Sequence, residues 1–334
     1  MFPIGVSRLR IVFDDEIVSF DLTAALGRFG DRFDVQSGER RKAASEVFMK
    51  FRLGCELAYK VVAETVFIFN VQVAFLQRHI NLVDQLNFNP NLPRRFYTVP
   101  DLRNRYTQVV APVGDLSLSY TAEVDLDIFR ADPATVHEMD VRDLPLDILP
   151  YLLPSRFVPS DRLANFALRE FAGFPRGHLR VSMICGWIYQ NIEYRRGSSD
   201  AQTTAIEILV QRAGVCRDFA HLGIAFCRAL GIPARFVTCY AFGLSPSDFH
   251  AVFEAYLDGR WWLFDGTRQA ALDGLVRIGI GRDAAEVAFA TPFGLINPGP
   301  IKIWIERSDG QIEVGSRTTD AISTEEDAPN AGAD

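Results

Sequence analysis

Residues 214–230 read GVCRDFAHLGIAFCRAL. Gly214 interrupts the segment before it, and Cys216 opens an apolar run that Gly231 and Pro233 close, so the stretch predicts a helix over 216–230. Its first residue is then a cysteine. A thiol in that position meets the positive end of the helix dipole and backbone N–H groups that have no intrahelical partner. Both favour thiolate, the nucleophilic form. The same amides can hold the oxyanion of an acyl intermediate.

Working outward, the period stays helical upstream. Helices are expected over 160–171, with Ser160-Asp161 as its cap, over 179–192, and over 204–212, where Thr204 and Glu207 stand at capping-box spacing. Downstream the pattern changes to strands at 234–240, 250–257 and 261–264, the last two joined by Asp258-Gly259, a hairpin signal. That hairpin brings the start of one strand beside the end of the next, which places His250 and Asp265, 15 positions apart, as neighbours. A nucleophilic thiol needs a base, and the base needs an orienting group. Cys216, His250 and Asp265 supply all three in that order. His221, five positions beyond Cys216, lies about 140° around the helix and is expected to pack rather than face the thiol. His178 is expected near the start of another helix.

The remaining cysteines, Cys55, Cys185, Cys227 and Cys239, sit in apolar runs and read as buried structural residues. No pair of the five has metal-ligand spacing, and Cys216 with His250 falls short of the four ligands a zinc site wants, so no metal or other cofactor is expected.

Before this region the chain is β-rich. From Val47, Met49, Phe51, Leu53, Cys55, Leu57 and Tyr59 alternate with largely polar neighbours, and further strands fit 65–75, 96–99, 106–113 and 116–128. Four prolines between 144 and 159 read as an interdomain crossing. The expected division is an N-terminal extension (1–45) with a strand pair at 13–22 and a polar stretch at 27–43. A β-sandwich-like domain (46–155), a catalytic core (156–310) that includes a last strand at 301–306, and an acidic, disordered tail (311–334) follow.

The 334 residues are 48% hydrophobic and 23% charged, the make-up of a soluble globular chain. A net charge of −7 argues against a nucleic-acid surface. Residues 1–12 lack the apolar centre of a signal peptide, and no stretch reaches the roughly eighteen apolar residues of a membrane helix. A cytoplasmic protein with reduced thiols, no membrane partner and no nucleic-acid partner is therefore expected. Oligomeric state is not legible.

Residues 201–269 resemble the transglutaminase-like superfamily. The resemblance is carried by Thr204-Ala205-Ile206-Glu207-Ile208-Leu209, Gly214-Val215-Cys216-Arg217-Asp218-Phe219-Ala220, Gly231-Ile232-Pro233-Ala234-Arg235, Phe249-His250-Ala251 and Trp262-Leu263-Phe264-Asp265-Gly266-Thr267. Residues 51–73 and 151–156 resemble the β-rich N-terminal region of its bacterial members, so the resemblance spans about 47–295. It implies an α+β, papain-like core, helices packed on an antiparallel sheet. It also implies a metal-free Cys–His–Asp thiol mechanism on peptide or isopeptide amides of a peptide or protein substrate. A cysteine protease or amidase is the expectation. A cross-linking or deamidating transglutaminase, or a non-catalytic peptide-binding module on the same scaffold, are the alternatives. Gln202 stands where animal transglutaminases carry a tryptophan, which makes it a candidate oxyanion donor by that resemblance. Three neighbours depart from the bacterial pattern: Val252 in place of Trp, Asp265-Gly266-Thr267-Arg268 in place of Asp-Pro-Thr-Asn, and Arg217 in place of Gln. They bear on substrate preference. Arg217 is expected to be a solvated residue at the helix start, with electrostatic support of the thiolate as the alternative.

Overall fold

A computed structural model describes residues 8–13, 16–21, 48–308 and 319–324, and the chain divides into two units, Met1–Glu46 and Val47–Asp334. In the first unit β1 (Arg8–Phe13) and β2 (Glu16–Asp21) pair antiparallel, with Ile11 opposite Val18. The strand pair thus starts before the expected 13–22, and the polar stretch 27–43 lies outside the described residues.

The second unit opens with β3 (Met49–Val61), β4 (Thr65–Phe69), β5 (His79–Asn89), β6 (Arg94–Thr98), β7 (Arg105–Ala111), β8 (Gly114–Leu126) and the short β9 (Phe129–Ala131). Alternation in β3 and β8 turns Leu53, Leu57, Leu118 and Tyr120 into a shared core with Phe67, Phe69 and Val109. The sequence reading missed β5, an edge strand paired only with β8, because it turns mostly polar residues outward and carries an irregularity between Ile80 and Val83.

Short 3-10 turns carry the proline-rich crossing. The first of the helices, α1 (Ala164–Phe171), is preceded by a 3-10 turn at Ser160–Leu163, so the expected Ser160-Asp161 cap does not form. Then come α2 (His178–Asn191), β10 (Glu193–Tyr194), α3 (Ala205–Gln211), β11 (Ala213–Gly214), α4 (Cys216–Ala229), β12 (Ala234–Ala241), β13 (Phe249–Leu257) and β14 (Arg260–Phe264). The capping box of α3 forms as expected: Thr204 Oγ1 accepts from the Ile206 N–H, and Glu207 accepts from the Thr204 N–H.

The core sheet is antiparallel in the order β14, β13, β12 and a strand not anticipated from sequence, β15 (Leu275–Gly281). Arg277, Gly279 and Gly281 hide β15 from pattern reading. Arg277 is nevertheless buried, because its guanidinium meets Glu254 and Thr324. Gly279 lets Asn70 and Asn104 approach, and the Asn104 amide pairs with both backbone groups of Ile280. Both faces of β12 and β13 are covered, which explains their continuously apolar sequences. On one face Gly223 of α4 rests against Phe253, where an added Cβ would stand 2.5 Å from the ring. On the other, Tyr240 and Ile278 join the sandwich core, and the Tyr240 hydroxyl donates to the Val71 carbonyl at 2.8 Å.

Two corrections concern the end of the chain. β16 (Ala290–Phe293) pairs with β4, and β17 (Ile296–Arg307) pairs with β3, Ile303 lying opposite Cys55. The strand assigned from sequence to the core segment 156–310 therefore belongs to the sandwich, where it covers edges that β3 and β4 would otherwise leave open. Within the stretch expected to be a disordered tail, β18 (Ala321–Ser323) pairs with β9, and Ala321, Ile322, Ser323 and Thr324 are all buried. Residues 309–318 and 325–334 lie outside the described residues.

Candidate active site

The chain enters α4 through a tight turn. Gly214 is required there, since a Cβ would stand 2.8 Å from the Asp218 side chain. Val215, extended, is the N-cap, and Asp218 one turn in accepts from the Val215 N–H at 2.9 Å. Asp218 is fully buried and also accepts from Ser199 Oγ and from Arg217. Arg217 is not the free, solvated residue expected: it donates to Asp218, Ser199 Oγ and the Asp200 carbonyl, tying the 199–200 loop to the helix start. Cys216 is thereby fixed as the first residue of α4.

Cys216 is half-buried, whereas the other four cysteines are buried; all five are free thiols. Burial holds those four far from ionisation, with Cys55 pushed up to about 12 and Cys185, Cys227 and Cys239 raised as well.

His250 lies on β13 and Asp265 directly follows β14. The recorded register ends at Phe253 opposite Phe264, which sets Asp265 level with Val252 and one pleat away from His250. The two are diagonal neighbours rather than directly opposite, a separation that long or aromatic side chains bridge. His250 Nε2 and Asp265 Oδ2 are 3.0 Å apart, and both side chains are buried. Thr267 holds the carboxylate from the far side, its N–H and hydroxyl reaching Oδ1 at 2.8 and 2.7 Å. Burial opposes charge on His250, but the charge and hydrogen bond of Asp265, and then Cys216, outweigh it and raise the imidazole to about 10. Burial likewise opposes ionisation of Asp265, and His250 and Thr267 overcome it, holding the carboxyl below its ordinary value. Among the described residues, the second imidazole nitrogen, Nδ1, is buried and without a hydrogen-bond partner.

The structure thus pairs His250 with Asp265 and sets Cys216 close enough to act on the imidazole, but it handles the other candidates differently. Gln202 is exposed in the turn before α3; its N–H donates to Asp200 Oδ1, and its side-chain amide makes no hydrogen bond among the described residues. His221 is enclosed between the Phe157 and Phe236 rings, and its Nε2 accepts from the Ala284 N–H at 3.2 Å. His178 is the first residue of α2, and its Nδ1 lies 3.2 Å from Ser182 Oγ. Val252 packs into an apolar cluster with Val237 and Leu263. Among the described residues no three His, Cys, Asp or Glu side chains are grouped to hold a metal.

One residue escaped sequence reading. β10 and β11 form a two-residue parallel ladder that sets Tyr194 opposite Gly214, two positions before Cys216. The Tyr194 ring packs on Phe219 at 5.8 Å between centroids. Burial, and then the nearby Cys216 thiol, raise the phenol well above its ordinary value, so it keeps its proton. A cleft of about 240 Å³ opens here, bounded by Tyr194, Arg196, Leu244, Asp248 and Gln269, with Arg196 and Asp248 3.4 Å apart at its rim. A ladder of two residues leaves no periodicity to detect.

The sequence pattern of the transglutaminase-like superfamily matches residues 173–266, and that of the bacterial transglutaminase N-terminal domain matches 49–146. A solved structure of a protein proposed to be a cysteine protease from Cytophaga hutchinsonii is 39% identical, covers 83% of this chain and 98% of its own, and superposes with a TM-score of 0.79. An uncharacterised protein of Mycobacterium leprae is 26% identical over 203 residues, 57% of this chain and 70% of the relative. An uncharacterised protein of Mycobacterium tuberculosis is 47% identical over 53 residues, 16% of this chain and 17% of the relative.

Proposed function

Because the chain belongs to the transglutaminase-like superfamily, we propose that it is a cysteine hydrolase that cleaves peptide or isopeptide amides with Cys216, His250 and Asp265 as a catalytic triad. The observation that carries this reading is the buried His250–Asp265 pair set against the one half-buried cysteine, at a helix start.

In this mechanism Cys216 passes its proton to His250, and the imidazolium is stabilised by Asp265, as its raised affinity for a proton implies. The Sγ–C bond forms, the carbonyl π electrons move to oxygen, and the oxyanion is held by backbone N–H groups at the start of α4. Collapse breaks the C–N bond, with His250 returning its proton to the departing amine. Water then attacks the thioester, giving up a proton to His250, and frees the acid and the thiol. Thr267 and Asp265 hold the ring in one orientation throughout. Hydrolysis is preferred to amine transfer because the relative from Cytophaga hutchinsonii is proposed to be a cysteine protease.

The test is incubation of wild type and Cys216→Ala with a peptide library containing glutamine, lysine and isopeptide bonds, read by mass spectrometry. Cleavage products that disappear with Cys216→Ala are expected. Deamidated or cross-linked products alone would replace hydrolysis by the corresponding transfer reaction. No Cys216-dependent product of any kind would leave a binding module.

A further inference from the structure

The thiol mechanism leaves one chemically able group beside Cys216 without a task. Tyr194 is held there by three independent features: the ladder position opposite Gly214, the Arg195 N–H donating to the Gly214 carbonyl at 2.9 Å, and the ring contact with Phe219 on α4 itself. Its phenol is half-buried, lines the cleft, and is influenced by both the thiol and the backbone N–H of Cys216. That N–H is the first donor of α4 available to an oxyanion. A hydroxyl that shares its surroundings with this amide stands where charge would develop when Sγ adds to a carbonyl. Gln202, by contrast, is exposed.

We propose that the Tyr194 hydroxyl is the second oxyanion donor of the site, acting with the Cys216 backbone N–H; the assignment rests on the thiol mechanism above. As the Sγ–C bond forms and the carbonyl electrons move to oxygen, Tyr194 donates a hydrogen bond to that oxygen. It keeps its own proton throughout. When the tetrahedral species collapses the carbonyl re-forms, and the phenol returns to its resting contact. Preorganised donors of this kind act in the transition state and contribute little to ground-state binding.

Two reactions of Cys216 separate this role from support of the thiol. Alkylation by iodoacetamide is a displacement in which the S–C bond forms as iodide leaves, with no oxyanion. Acylation by p-nitrophenyl acetate forms one, before the C–O bond to nitrophenolate breaks. Both are followed by intact-protein mass spectrometry and peptide mapping in wild type, Tyr194→Phe and His250→Ala. Tyr194→Phe keeps the ring against Phe219. It is expected to alkylate at least as fast as wild type and to acylate about 10²–10³-fold more slowly. Unchanged acylation, or equal losses in both reactions, would overturn the assignment. If His250→Ala alkylates at the wild-type rate, the thiol mechanism fails, and the role of Tyr194 fails with it.

Discussion

His250 and His221 are both buried, yet they hold a proton on opposite terms. His250 is raised to about 10, and His221 is lowered to about 3. Burial pushes both towards neutrality, so the difference lies in their neighbours. Asp265 offers His250 an oxygen at 3.0 Å. Asp283, the carboxylate near His221, spends its oxygens on the Phe157 and Ala285 N–H groups, both at 2.9 Å. His221 Nε2 instead accepts from a backbone N–H, which requires a neutral ring. A buried histidine therefore becomes a proton carrier through a directed carboxylate, and without one it is a packing element with an acceptor.

Removing that carboxylate should convert the first histidine into the second. Asp265→Asn is expected to lower kcat by about 10³–10⁴, as loss of the orienting group does in comparable triads. It should also lower the pH at which His250 loses its proton, seen in a histidine-resolved NMR titration. Thr267→Val removes one of the donors that hold the Asp265 carboxylate. A fall in kcat of about tenfold is expected, with KM nearly unchanged, from steady-state kinetics on a cleaved peptide.

The two histidines also pull stability in opposite directions with pH. His250, raised above its ordinary 6.5, contributes stability that is full below that value and lost as pH rises through about 10. His221 is lowered, so the unfolded chain binds the extra proton, and stability is lost as pH falls from about 6.5 towards about 3. His79 and His178, each lowered to about 4, add to the acid limb. His221→Phe should flatten part of that limb in urea melts run across the pH range. At neutral pH it should cost about 1–3 kcal/mol, because the Ala284 N–H loses its acceptor. Its kcat should stay close to wild type.

The same contrast shows what a sequence discloses. The helix start at Cys216 and the hairpin that carries His250 and Asp265 were legible because both are local features, each written in adjacent residues. The difference between His250 and His221 was legible only as angle and spacing. The diagonal, rather than direct, approach of Asp265 needed the register. Pairings over long distances were hidden. β17 joins β3 across 248 positions (303 minus 55), and β15 buries an arginine whose partner, Glu254, lies on another strand. The tail segment misled for a related reason: within 318–334 Ile322 is the one large apolar side chain, set among small and acidic residues. Tyr194 was silent because its placement depends on a ladder two residues long.

The proposed mechanism requires His250 to activate Cys216 alone among the five cysteines. Brief treatment with substoichiometric iodoacetamide at neutral pH, followed by peptide mapping, tests it most directly. A single adduct on Cys216 in the folded protein is expected, strongly slowed in His250→Ala. Adducts spread over several cysteines, or a Cys216 adduct that forms equally fast without His250, would contradict it.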